Sequence, residues 1–292
     1  MTIQLKHLSF ILLVALMVIL AGCGESNDQW LDRNDKNIHP HVFGYSPDGS
    51  EVWLGTHHGM YAYDTTEREW MRVAEAIADQ DVMGYEVHTD APDTIYISGH
   101  GFVQRSDDGG QTWKAMENGM PNAPKPDVPD AHLMAQNPND PQHLFVFLVQ
   151  EANNVYETLD GGETWNLAGS IPLDTYAIAV GPEGGSTLLV GSESGLRQFA
   201  FENGSVIGES AWSTDPTFAL LRRADGEVFT LGPTGYRRTA TGKTWDAINI
   251  DLQGENPLGI RESHVDPNRM AVVTNSYSVF ESTDGGKTWS KL

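Results

Sequence analysis

From His41 onward the hydrophobic positions fall in short runs of four to six, each closed by a cluster of Pro, Gly, Asn or Asp. No run carries a sustained helical period. The first unit sets the pattern: His41-Val42-Phe43-Gly44-Tyr45, the turn Ser46 to Gly49, Glu51-Val52-Trp53-Leu54-Gly55, the turn Thr56 to Gly59, Met60-Tyr61-Ala62-Tyr63, then Trp70-Met71-Arg72-Val73. Short apolar runs bounded by turn formers predict strands. A later unit repeats the plan with Leu133-Met134-Ala135, the turn Asn137 to Pro141, and Leu144-Phe145-Val146-Phe147. Val73 to Ala78 is the one stretch that fits a short helical turn, placed between units.

Tryptophan gives the longer period. Trp70, Trp113, Trp165, Trp212, Trp245 and Trp289 are separated by 43, 52, 47, 33 and 44 residues, the length of one four-stranded unit. Three of them close a repeated phrase: Ser106-Asp107-Asp108-Gly109-Gly110-Gln111-Thr112-Trp113, Thr158-Leu159-Asp160-Gly161-Gly162-Glu163-Thr164-Trp165 and Ser282-Thr283-Asp284-Gly285-Gly286-Lys287-Thr288-Trp289. The Asp carboxylate can fold back onto backbone N–H groups, Gly-Gly supplies positive φ, and Trp opens the next strand with a large ring to bury. Turn satisfaction thus explains Ser106, Asp108, Gly110, Thr158, Asp160, Gly162, Ser282, Asp284 and Gly286 without catalysis. A fourth copy, Arg238 to Trp245, keeps Gly, Thr and Trp but carries Ala240 where Asp is expected, which predicts a weaker turn.

The phrase resembles the Asp-box, or BNR repeat, of sialidases, sortilin-type receptors and other β-propellers. That resemblance, with the six Trp-marked units, implies an all-β chain: a single propeller of six four-stranded blades over residues 39–292, with five or seven blades as alternatives and no strand exchanged at closure. Gly 30 and Pro 15 in 292 residues suit so turn-rich a fold, and no linker interrupts the repeat.

The N-terminus carries different information. Lys6 precedes an apolar run, Leu8 to Leu20, that is too short to span a bilayer and fits an export signal. It ends in Leu20-Ala21-Gly22-Cys23, which resembles the bacterial lipobox. Residues 1–23 are therefore expected to be a lipoprotein signal, with Cys23 carrying diacylglycerol and the protein tethered to the outer face of the cell membrane. Cys23 is the only cysteine, so no disulfide within the chain is expected. Polar residues 24–38 are expected to form a flexible spacer, with Trp30-Leu31 the pair able to dock on a blade edge.

Charge narrows the partners. The formal net charge is −22, and loss of Lys6 with the signal makes it −23. Nucleic acid and anionic lipid surfaces are disfavoured. No EF-hand loop is present. The expectation is a monomer with a glycan or protein ligand, no assigned metal and no cofactor.

In a propeller the innermost strands begin at one face, where blade connections and second-to-third-strand loops converge on a funnel. Aligning first strands on the turns that follow places His41, Glu86, His132, Tyr176, Phe218 and Arg261 at equivalent positions, six residues before Pro47, Pro92, Pro138, Pro182, Ala224 and Pro267. The loops add His57, His58 and His100, with His39 ahead of the first strand and His88 as a strand-end neighbour. Imidazoles and a carboxylate there could move protons, hold a metal, bind a sugar or peptide beside Tyr85, Tyr176 and Trp53, or simply line a wet channel. A convergent acid pair would favour hydrolysis; an apolar or aromatic funnel would favour binding. The sialidase resemblance implies three converging arginines and an Arg-Ile-Pro motif. Here Arg-Ile-Pro is absent, and Arg222-Arg223 and Arg237-Arg238 sit in one blade. Catalytic residues are left unassigned. A surface binding or assembly module is expected first, with a glycoside hydrolase using Glu86, or an assembly factor for a membrane complex, as alternatives.

Overall fold

The computed structural model describes residues 30–121, 123, 128–149, 153–172 and 174–292; Cys23 and the signal lie outside the described residues. The apolar runs form strands as predicted. Blade 1 is β1 (Pro40–Tyr45), β2 (Val52–Thr56), β3 (Gly59–Asp64) and β4 (Glu69–Val73). Blade 2 is β5 (Val82–Val87), β6 (Ile95–Gly99), β7 (Phe102–Ser106) and β8 (Lys114–Ala115). Blade 3 is β9 (Ala131–Asn137), β10 (Asp140–Leu148), β11 (Asn154–Thr158) and β12 (Asn166–Ser170). Blade 4 is β13 (Thr175–Val180), β14 (Thr187–Ser192), β15 (Gly195–Glu202) and β16 (Ser205–Ser213). Blade 5 is β17 (Ala219–Arg222), β18 (Val228–Gly232), β19 (Gly235–Thr239) and β20 (Asp246–Ile248). Blade 6 is β21 (Pro257–Glu262), β22 (Met270–Thr274), β23 (Val279–Ser282) and β24 (Ser290–Lys291). A single 3₁₀ turn, Glu75–Ile77, joins blades 1 and 2, inside the stretch predicted for it.

Each sheet is an antiparallel meander in chain order, and the first strands touch in sequence around the ring until β21 meets β1. The molecule is a six-bladed β-propeller, and among the described residues no strand is exchanged between blades. Second strands lie between neighbouring blades, so β2, β6, β18 and β22 are buried along their whole length. That explains why they are continuous apolar runs rather than alternating ones. The core is six clusters, one per seam. The seam between blades 4 and 5, built on Ala179, Leu189, Leu196, Leu220 and Val228, is the thinnest.

The repeated phrase closes the β3–β4-type hairpins. In blade 2 Ser106 Oγ donates to Asp108 Oδ1 at 2.7 Å, and Asp108 also accepts from the N–H of Gln111 and Thr112 and the Thr112 hydroxyl. The Thr112 hydroxyl and N–H, with Ser106, hold the Asp108 carboxyl down at about 2. Asp160 and Asp284 repeat the contacts, so these carboxylates serve their turns. Gly110, Gly162 and Gly286 have φ of 92°, 88° and 81°, and each N–H donates to the hydroxyl that opens its turn. The indoles divide: Trp113 and Trp289 donate to the Gly carbonyl of their own turn, whereas Trp165 donates to Met116 O of the preceding blade at 2.9 Å. The fourth copy differs from its sequence alignment. Thr239, not Arg238, opens it, with Gly242 N–H on its hydroxyl, so the turn is one residue shorter and Thr241 rather than Ala240 follows at the acid's distance.

The spacer expectation is corrected from Trp30 onward. Trp30 bridges to Met71 on β4, Leu31 N–H donates to Trp70 O at 2.8 Å, and Leu31 is 5% exposed. Tyr277 of blade 6 donates to Ile38 O at 2.9 Å, and Trp70 Nε1 donates to Tyr277 O at 2.9 Å. Leu31 has an apolar slot to fill at the seam of blades 6 and 1, and burial outweighs the polarity of its neighbours. Residues 30–38 therefore form a strap across the closure. Among the described residues no helix is long and apolar enough to cross a membrane.

Candidate functional site

The funnel mouth is built by β-bulges. In blades 1, 2, 3, 4 and 6 the innermost strand slips register near its start, leaving His41, Met83, His132, Tyr176 and Leu258 outside the ladder. In blade 5 Phe218 occupies the same place, its N–H on Leu231 O just ahead of the Ala219 pair. A bulge bends the strand and re-aims the extra side chain, here toward the mouth. Tyr176 and Phe218 meet edge to face at 5.0 Å. The mouth opens into a shallow cavity of about 280 Å³ lined by His41, Met83, His132, Leu133, Phe147 and Tyr176 among others.

This ring corrects the sequence alignment. His41, His132, Tyr176 and Phe218 are equivalent as expected, but Met83 and Leu258 replace Glu86 and Arg261. Those two lie three residues further along their strands and line a separate lower cavity of about 130 Å³. Burial raises the Glu86 carboxyl to about 7, opposed by the facing Arg261 guanidinium. Arg261 stacks over Phe43, with its guanidinium 5.9 Å from the ring centre. Glu262 also lines this cavity but is ion-paired with Arg223. Each acid is answered by a guanidinium, so no free acid pair converges here. Between mouth and lower cavity the channel narrows to about 50 Å³ among Phe43, Met134, Ile178 and Leu220. Small-molecule sites commonly enclose about 300–1,000 Å³, which this constriction falls well below.

On the mouth's rim, blades 1 to 3 bring histidines and acids together. His57 Nδ1 lies 2.8 Å from Asp81 Oδ2, and His41 Nε2 lies 3.4 Å from Asp81 Oδ1. His132 Nε2 lies 2.9 Å from Asp130 Oδ1, with His100 Nε2 at 3.7 Å from the same oxygen. His100 Nε2 is also 3.9 Å from Asp81 Oδ2, linking the two groups. Burial lowers His41 to about 4 against the pull of Asp81, and burial lowers His132 likewise. Both rings are therefore neutral at physiological pH, with lone pairs free to ligate or accept.

His41, His57, His100 and His132 thus come together at the rim, and Tyr176 joins them across the mouth. His58 does not: it is exposed, its carbonyl held by Arg72. His88 lies at the opposite end, after β5, bonded to Gln142. Asp81 and Asp130 were missed. They stand two positions before Met83 and His132, as exposed His39 stands two before His41, and that spacing was the available signal.

The BNR/Asp-box repeat family profile matches residues 104–115 and 280–291, two of the three full phrases. No curated protein matches the chain in sequence. Among solved structures the fold is similar to YCF48 bound to D1 peptide, at 16% identity and a TM-score of 0.54, over 87% of this chain and 81% of that one. A structure for which a gluconolactonase function is proposed shares 12% identity and a TM-score of 0.64, covering 90% and 93%. The GH74 enzyme of Niastella koreensis shares 17% identity and a TM-score of 0.57, over 88% of this chain but 47% of that one. This chain spans about half the length of that enzyme, and likenesses at these identities show the fold alone.

Proposed function

We propose that this chain is an exported, Cys23-anchored propeller that docks a segment of a protein partner at its funnel mouth. One observation carries the reading: the bulged residues Met83, Tyr176, Phe218 and Leu258 give the mouth an apolar and aromatic lining. Extended peptides bind such rims through side-chain pockets and a few placed polar groups. A propeller of similar fold bound to a peptide supports it. The lipobox-like Leu20-Ala21-Gly22-Cys23 supports the anchoring.

The test is a photo-crosslinking amino acid placed at Tyr176 in the membrane-bound protein, with Leu159 on the opposite face as control. A discrete adduct from position 176, absent from 159 and lost in Phe218→Ala, is expected. Equal labelling from both positions would overturn the reading. Glu86, raised to about 7, favours one second reading, that of a general acid in a hydrolase. Turnover of a chromogenic glycoside that disappears in Glu86→Gln would replace binding with catalysis.

A further inference from the structure

We propose that the two linked His-His-Asp groups on the funnel rim, His41-His57-Asp81 and His100-Asp130-His132, bind divalent transition ions of the Zn²⁺ class. The site does not depend on the docking role proposed for the mouth. In each group every residue offers a ligand atom within 4.8 Å of the other two.

Spacing is the first support. His41 Nε2 lies 3.3 Å from a His57 ring nitrogen and 3.4 Å from Asp81 Oδ1. A tetrahedral ion with bonds of about 2.0–2.1 Å separates its ligand atoms by roughly 3.4 Å. The remaining pairs, His57 Nδ1 to Asp81 Oδ2 at 2.8 Å and His132 Nε2 to Asp130 Oδ1 at 2.9 Å, are at hydrogen-bond distance and would widen by about 0.5 Å around an ion. The second support is unanswered charge. The Asp130 side chain is 5% exposed, and its Oδ1 has no hydrogen-bond partner. His132 Nε2 sits 2.9 Å away, close enough to pair with that carboxylate, but neither atom makes a well-aligned hydrogen bond. Asp81 Oδ1 is in the same condition. Buried carboxylate oxygens without donors are costly, and lone pairs that converge on a common point instead of on each other suit a cation.

The donor set selects the ion. Two imidazoles and a carboxylate, with no thiolate, match Zn²⁺ and its neighbours rather than Ca²⁺ or Mg²⁺, which prefer all-oxygen shells. The scaffold is rigid. The ligands come from bulged strand ends, strand-to-strand loops and blade connections, and Gly99 lets the β6–β7 loop close on Asp81: a Cβ there would lie 1.8 Å from the Asp81 carbonyl oxygen. Three protein ligands leave a fourth position for water or a partner's side chain.

The test uses the full-length chain in detergent, purified without a polyhistidine tag and stripped with chelator. Zn²⁺ is titrated by calorimetry, and bound metal is counted by mass spectrometry. One or two equivalents per chain are expected, together with a rise in melting temperature on Zn²⁺ addition. Asp81→Asn and Asp130→Asn should each weaken binding at least tenfold, and the double variant should lose both the metal and the melting shift. His58→Ala, just outside the cluster, should bind as the parent does. Should the double variant fail to fold, the more exposed pair His57→Gln and His100→Gln takes its place with the same expectation. Absence of saturable binding in the stripped parent would overturn the proposal. So would unchanged binding in a folded double variant.

Discussion

Glu86→Gln isolates the cost of holding an acid in the lower channel. The Glu86 carboxyl titrates at about 7 instead of 4.5 because burial disfavours its charge. Between those values the folded protein keeps a proton that the unfolded chain has released. Stability therefore falls as pH rises through that interval and levels off above it. At about 1.36 kcal/mol per unit, the 2.5-unit gap sets a ceiling of about 3 kcal/mol. Glutamine has the same shape and no charge, so the variant should exceed the parent only slightly at pH 5 and by most of that ceiling at pH 8. For a domain of this size the advantage corresponds to roughly 6–12 °C in melting temperature. The assay is a melting series of both proteins from pH 5 to 9, read as the difference between them so that other titrations cancel. A difference independent of pH would mean that Glu86 ionises as it does in water, and the account of the lower channel would fail.

Arg261→Gln removes the cation that favours ionised Glu86, so the same difference curve should move to higher pH; no movement would separate the two groups electrostatically. Leu31→Ala should destabilise by about 2 kcal/mol in urea denaturation, the low end for a buried Leu because a strap can relax, and no loss would mean the strap does not brace the ring. Trp165→Phe strips Met116 O of its donor and should cost about 1–3 kcal/mol, more than Trp289→Phe, whose indole bonds within its own turn; equal losses would contradict this division.

Blade number was legible because each unit carries one large ring on or beside its last strand, at the strand's start in five blades and near its end at Trp212 in blade 4, and tryptophan is rare enough to count. Register was not. Pro47, Pro138 and Pro182 follow the matching strand position by two residues, whereas Pro92 and Pro267 follow Val87 and Glu262 by five, inside longer turns. An alignment on proline therefore carried Glu86 and Arg261 three residues away from the mouth. The rim histidines stood out as scarce residues at strand ends. Their partners Asp81 and Asp130 did not, because a chain with 40 acids offers a carboxylate almost everywhere and only the packing of three blades selects these two. Leu31 was noticed but could not be placed, since its slot is formed by blades that begin and end the repeat.

The strap sets where a lipid tether would join the molecule. Six residues separate Cys23 from Trp30, where the chain joins the outermost strand of blade 1, and the seven steps between them reach at most roughly 25 Å. With lipid at Cys23, as proposed, the ring is suspended by its edge on a short leash, while its acidic surface is repelled by anionic headgroups. A partner carried in the same membrane would then stay within that reach, so diffusion in the plane of the membrane, rather than capture from solution, would deliver what the mouth meets.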